Sequence, residues 1–244
     1  MNNITIFFIV LYILIVLLII YSLLPRSPAP APAPAPAPTL RGGGFLNALG
    51  LGGNNNYIPF VAGAEQTTQS DDGGWGNTVY LDRHDINCGN NGINRLHYQR
   101  TGDNTFQYQY NCTNGGVLDS DLNNITTGAN DSGLQDQTFR GSSIYLDRHN
   151  VNCGDNKVMT RIHLNQGVID GGSYHYEYNC AANKQIQNLK CRNVSTQMND
   201  YGGGNSIYLD RHNIVCQNNE ALSQLRLVRS PDGLNYQYQY TCCS

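Results

Sequence analysis

The pentapeptide Tyr-Leu-Asp-Arg-His begins at residues 80, 145 and 208, each time behind Val or Ile and each time with a cysteine four residues after the histidine. Each copy leads on to an aromatic alternation that ends in a second cysteine: Phe106-x-Tyr108-x-Tyr110-x-Cys112, Tyr174-x-Tyr176-x-Tyr178-x-Cys180 and Tyr236-x-Tyr238-x-Tyr240-x-Cys242. Repetition at intervals of 65 and 63 residues requires three like supersecondary units, because each copy carries the same set of residues that need burial.

Within a unit the order is constant. A turn-rich lead comes first, then the Tyr-Leu-Asp-Arg-His stretch, a Gly/Asn turn, and a second apolar run (Ile93-x-x-Leu96-x-Tyr98, Met159-x-x-Ile162-x-Leu164, Leu222-x-x-Leu225-x-Leu227). The aromatic run closes the unit. Period-two alternation between polar turns is a strand signature, and no stretch beyond residue 57 sustains an α-helical period. About four strands per unit, about twelve in all, predict an all-β body. Its units fall at about 57–115, 116–182 and 183–244. Three equivalent units suggest a pseudo-threefold arrangement, a β-trefoil or a β-prism. A linear array of separate modules is disfavoured, since units of about 60 residues bury little surface alone.

All eight cysteines lie in this part of the chain, and six of them occupy equivalent positions. The pattern predicts Cys88–Cys112, Cys153–Cys180 and Cys216–Cys242, leaving Cys191 to pair with Cys243. Cys242 and Cys243 are neighbours, so exchange of their roles stays open. Such a framework implies an oxidising compartment. Zinc is the rival reading, but the chain has no Cys-x-x-Cys pair.

The first 56 residues read differently. Ile4 to Leu24 is an unbroken apolar run of the length that crosses a bilayer as a helix, so residues 1–25 are expected to be a transmembrane anchor with 4–24 as its span. A cleaved signal peptide fits less well, because the run is too long and no basic segment precedes it. Pro28 to Pro38 alternates strictly with alanine, which predicts a polyproline II rod on the order of 35 Å long. With the Gly/Asn-rich linker to residue 56 it forms a stalk over 26–56. Arg26 and Arg41 favour a cytosolic C-terminal side. The cysteines and the sequons at Asn111, Asn124, Asn130 and Asn193 favour the opposite side.

For chemistry, strand phasing would put Tyr80, Asp82, His84, Ile86 and Cys88 on one face, with Leu81 and Arg83 on the other. Tyr145, Asp147 and His149, and Tyr208, Asp210 and His212, follow the same phase. Three readings compete. The residues fix strand register through buried hydrogen bonds; each unit holds a shallow ligand site, with Tyr80, Tyr145 and Tyr208 stacking on sugar; or His84, His149 and His212 bind a metal on the axis. The register reading leads, because an active site rarely occurs three times. His97 and His163 take the place of Arg226 in the third unit and read as exposed cross-strand residues. No catalytic or nucleotide-binding motif occurs, so neither an enzyme nor a cofactor is expected. A net charge of −3 speaks against a nucleic-acid partner.

The repeated module, behind an apolar N-terminus and a Pro-Ala tract, resembles membrane-anchored proteins of large nucleocytoplasmic DNA viruses, the phycodnavirus and mimivirus-like groups. The resemblance implies a virion or membrane setting and carries no known chemistry. It predicts a viral structural or surface protein, in the virion membrane, that contacts a capsid protein or a host glycan. It also accommodates the opposed orientation signals, through a viral thiol oxidase acting on the cytosolic face. A carbohydrate-binding module without that setting is the alternative.

Overall fold

A computed structural model describes residues 58–116, 118–119, 123–128, 141–166 and 174–244. The chain divides into two units, Met1–Gly53 and Asn54–Ser244, and the described residues fall within the second. The expected anchor, the Pro-Ala rod, the linker and the sequon at Asn130 lie outside the described residues. Among those described, no helix is long and apolar enough to cross a membrane.

The body is all-β, built of antiparallel strands. The first unit supplies β1 (Val61–Thr67), β2 (Asp71–Asp72), β3 (Asp85–Asn87), β4 (Ile93–Arg100) and β5 (Thr105–Asn114). The second supplies β6 (Asn124–Thr126), β7 (Asn150–Asn152), β8 (Lys157–Gln166) and β9 (Tyr174–Ala182). The third supplies β10 (Cys191–Ser195), β11 (Asn199–Asp200), β12 (Asn213–Val215), β13 (Ala221–Arg229) and β14 (Asn235–Cys243).

These strands form three sheets, and each sheet mixes two units. A unit's hairpin (β4–β5, β8–β9 or β13–β14) carries a leading strand of its own unit (β1, β6 or β10) on one side. On the other side it carries the short strand that follows Tyr-Leu-Asp-Arg-His in a different unit. β3 of the first unit pairs with β8 of the second, β7 of the second with β13 of the third, and β12 of the third with β4 of the first. The exchange is cyclic, so no unit completes its sheet without a neighbour.

The Ile93-x-x-Leu96 spacing and its two equivalents now have a cause. Register shifts fall between Ile93 and Arg95, Met159 and Arg161, and Leu222 and Gln224, leaving Asn94, Thr160 and Ser223 as the extra residues of three β-bulges. The neighbouring chain enters at these bulges. Cys88 N–H donates to the Thr160 carbonyl at 2.8 Å, Cys153 N–H to Ser223 at 3.1 Å and Cys216 N–H to Asn94 at 3.0 Å. The same cysteines are bonded covalently within their own units: the bridges are Cys88–Cys112, Cys153–Cys180, Cys216–Cys242 and Cys191–Cys243. Cys242 and Cys243 follow each other on β14 and therefore point to opposite faces, Cys242 into the main core and Cys243 into a smaller cluster around Phe60, Val158 and Ala221.

The Tyr-Leu-Asp-Arg segments are not strands, which corrects the phasing above. Thr78–Arg83, Ser143–Arg148 and Ser206–Arg211 are 3-10 turns, and each histidine is the residue at which the chain becomes extended. Burial accordingly runs in steps of three and then of two: Thr78, Leu81, His84, Ile86, Cys88. Leu81, Leu146 and Leu209 share the buried side with the histidines, while Tyr80, Asp82 and their equivalents stay half-buried at the surface. The side chains of Asn77 and Asn205 cap their turns by accepting from Val79 N–H and Ile207 N–H.

Candidate functional site

The tyrosine, aspartate and histidine of each copy are engaged in separate tasks. The arginine lies over its own tyrosine, with the guanidinium carbon 4.3 Å from the ring centre for Arg83 and Tyr80, 4.3 Å for Arg148 and Tyr145, and 4.2 Å for Arg211 and Tyr208. Backbone packs close against two of these rings: a Cβ on Gly74 would stand 2.1 Å from Tyr80, and one on Gly202 2.1 Å from Tyr208.

The aspartate reaches across to another unit. Asp210 accepts from Arg100 Nε at 2.7 Å and Asp147 accepts from Arg229 Nε at 2.6 Å, each arginine ending the strand that the aspartate's own short strand joins. At the equivalent place facing Asp82 the second unit has Gln166. Burial then raises the Asp82 carboxyl above its ordinary value, with Arg83 and His163 pulling only partly against it.

The histidine is turned inward. His84, His149 and His212 are all buried, and each Nδ1 lies in hydrogen-bond contact with a threonine hydroxyl: Thr68 at 2.8 Å, Thr127 at 2.9 Å and Thr196 at 2.8 Å. The same hydroxyls accept the backbone N–H groups of Tyr108, Tyr176 and Tyr238 at 2.9, 2.9 and 3.0 Å. Desolvation lowers all three imidazoles to a pKa of about 4, so they are neutral at pH 7. Aromatic rings surround them, Phe106 and Tyr108 in the first unit and Tyr236 and Tyr238 in the third. Nε2 is buried without a partner among the described residues in every copy.

This arrangement does not bring Tyr80, Asp82 and His84 to one ligand, nor their equivalents in the other units. The three-histidine metal site also fails: among the described residues the one group whose ligand atoms converge is Cys216, Glu220 and Cys242, and its two sulfurs are already bridged. His97 and His163 are half-buried and not exposed, with Nδ1 3.1 Å from the carbonyls of His212 and His84 respectively. They tie a hairpin to the short strand entering from another unit.

Two features escaped the sequence reading. The threonines are one; Thr68 and Thr196 stand 16 residues before their histidines, but Thr127 stands 22 before His149, which hides the match. The other is a pair of cavities. A cavity of about 30 Å³ lies where Tyr108, Tyr176 and Tyr238 meet, with His84 and His212 also in its wall. Outside, on the third sheet, Asn150, Asn193, Gln224, Arg226, Gln239 and Thr241 line an open cleft of about 470 Å³.

No family model, curated protein or solved structure matches the chain.

Proposed function

We propose that the chain is a membrane-anchored surface protein of a virion, which holds a disulfide-stapled β body away from the bilayer to contact a partner. Residues 4–24 form the anchor and the Pro-Ala tract the spacer. The observation that carries this reading is that the Tyr-Leu-Asp-Arg-His copies are taken up by structural contacts: each arginine lies over its own tyrosine, each histidine meets a threonine hydroxyl, and Asp147 and Asp210 pair with arginines of other units. What remains for recognition is the outward faces of the sheets, which are rich in Asn, Gln and Thr. No catalytic role is assigned. Among the described residues the three sheets share no ladder with one another, which favours a β-prism around a pseudo-threefold axis over a trefoil barrel.

Fractionation of purified particles tests the reading. The chain should be recovered with the membrane layer, and protease should remove the β body from intact particles while sparing the anchor. Recovery only in a soluble fraction would overturn it. The alternative, a glycan-binding module without a virion setting, draws on the polar cleft of the third sheet; sugar binding together with absence from particles would select it.

A further inference from the structure

The three sheets carry equivalent polar faces, and the side chains of two of them are tied to one another. On the first sheet Arg95 pairs with Glu65 and donates to Asn213 at 2.9 Å, His97 meets the His212 carbonyl, and Gln107 donates to Gln99 at 2.8 Å. On the second, Arg161 donates to Asp85 at 2.8 Å, His163 meets the His84 carbonyl, and Asn165 donates to Glu177 at 2.6 Å. The third differs. Arg226 replaces the histidine, is exposed, and has neither ion pair nor hydrogen bond among the described residues. Asn150 and Gln239 beside it are likewise exposed, without side-chain hydrogen bonds.

The cleft has no acidic residue in its lining, although the chain as a whole has a net charge of −3; Asp147, which borders a neighbouring cleft with Arg226, is already paired with Arg229. Thr241 and Asn193 are already joined at 2.9 Å and give it a fixed wall. An unpaired guanidinium that presents two parallel N–H donors, ringed by primary amides and a hydroxyl, is complementary to a carboxylate borne on a polyhydroxylated ring. The amides supply both donors and acceptors for ring hydroxyls.

We propose that the cleft of the third sheet binds an acidic sugar, a uronic or sialic acid residue of a glycan, with Arg226 on its carboxylate and Asn150 and Gln239 on its hydroxyls. This rests on the reading of the chain as a surface recognition protein. It also assigns recognition to one sheet of the three, where the repeat alone would distribute it equally.

The test uses the full chain, oxidised and held in detergent, on an array of glycans ending in glucuronic or sialic acid beside their neutral counterparts. It is expressed in a host that does not glycosylate Asn193, since a glycan there would fill the cleft. Acidic members should bind, Arg226→Gln should weaken them about tenfold or more, and Arg95→Gln on the first sheet should leave them unchanged. Because Arg226 holds nothing in the fold, its variant should melt with the parent. Equal binding of acidic and neutral glycans that Arg226→Gln does not alter overturns the acidic-sugar inference while leaving surface recognition intact. Absence of binding to any glycan overturns the inference too, and particle fractionation then judges the surface reading on its own.

Discussion

Arg100 of the first unit donates to Asp210 of the third at 2.7 Å, and that contact closes the ring of units. Arg229 and Asp147 repeat it between the third and second units at 2.6 Å. The corresponding position facing Asp82 holds Gln166, and burial raises the Asp82 carboxyl. Gln166→Arg should therefore lower the Asp82 pKa and stabilise the body by about 0.5 kcal/mol, within the range of a partly exposed ion pair. Carbon-detected titration of Asp82 and thermal melting check it; an unchanged pKa would mean that the new arginine does not reach.

Acid should loosen the body through its buried histidines. Their folded pKa of about 4 lies below the ordinary 6.5, so the unfolded chain binds more protons between these values. Stability is complete above pH 6.5 and falls as the pH drops toward 4, by on the order of 2 kcal/mol for each imidazole. Denaturant midpoints at pH 7 and pH 4.5 measure the loss. Replacing all three histidines by phenylalanine should flatten that part of the profile, whatever its effect on absolute stability.

Thr196→Val should cost roughly 2–4 kcal/mol, because one hydroxyl serves both His212 Nδ1 and the Tyr238 N–H and its removal leaves two buried polar groups unpaired. Thr196→Ser keeps the hydroxyl and should recover most of that. Urea denaturation of the two variants separates the hydrogen bonds from the packing of the methyl group.

Gly141 stands at φ +71 with Asn77 of the first unit against it, so that a Cβ there would lie 1.7 Å from the Asn77 Oδ1. Gly89, at φ +60, has nothing within 4 Å of such an atom. Gly89→Ala should cost only the backbone strain of about 1–2 kcal/mol, whereas Gly141→Ala should cost distinctly more because it also forces two units apart. Thermal melting of the pair is the comparison; equal losses would mean that Asn77 moves aside freely.

Removing Cys88 and Cys112 together as alanines should cost about 2–4 kcal/mol. The damage should cross the unit boundary, since Cys88 N–H holds the Thr160 carbonyl in the second unit. Hydrogen exchange should accelerate at β3 and along the β8 edge it pairs with, more than at β13. Acceleration confined to the first unit would contradict the interlocked ladder.

Much of this architecture is written in spacing. Cys88 and Cys112, with their two equivalents, recur at matched intervals, and matched intervals in like units leave little freedom in pairing; the leftover Cys191 and Cys243 then find each other. The alternation of Phe106, Tyr108 and Tyr110 reads as a strand because side chains on a pleated backbone alternate faces. The bulge at Asn94 leaves its mark as the Ile93-x-x-Leu96 spacing, but only the ladder between β4 and β5 shows that a bulge causes it.

The Tyr-Leu-Asp-Arg-His stretch is where local pattern misleads. Over so few residues a period of three and a period of two both fit, and Leu81 decides between them only once it has a core to enter. Sequence determined the repeat, the all-β character and the Cys88–Cys112 and Cys153–Cys180 pairs, because these depend on residue type and interval, while the fold decided that Cys242 and not Cys243 joins Cys216. Tertiary structure decided that β3 leaves its own unit for β8, that Asp210 meets Arg100, and that Arg226 has no partner among the described residues. Those outcomes depend on which of three nearly identical sheets lies nearest in space, and near-identity of the repeats removes that information from the sequence.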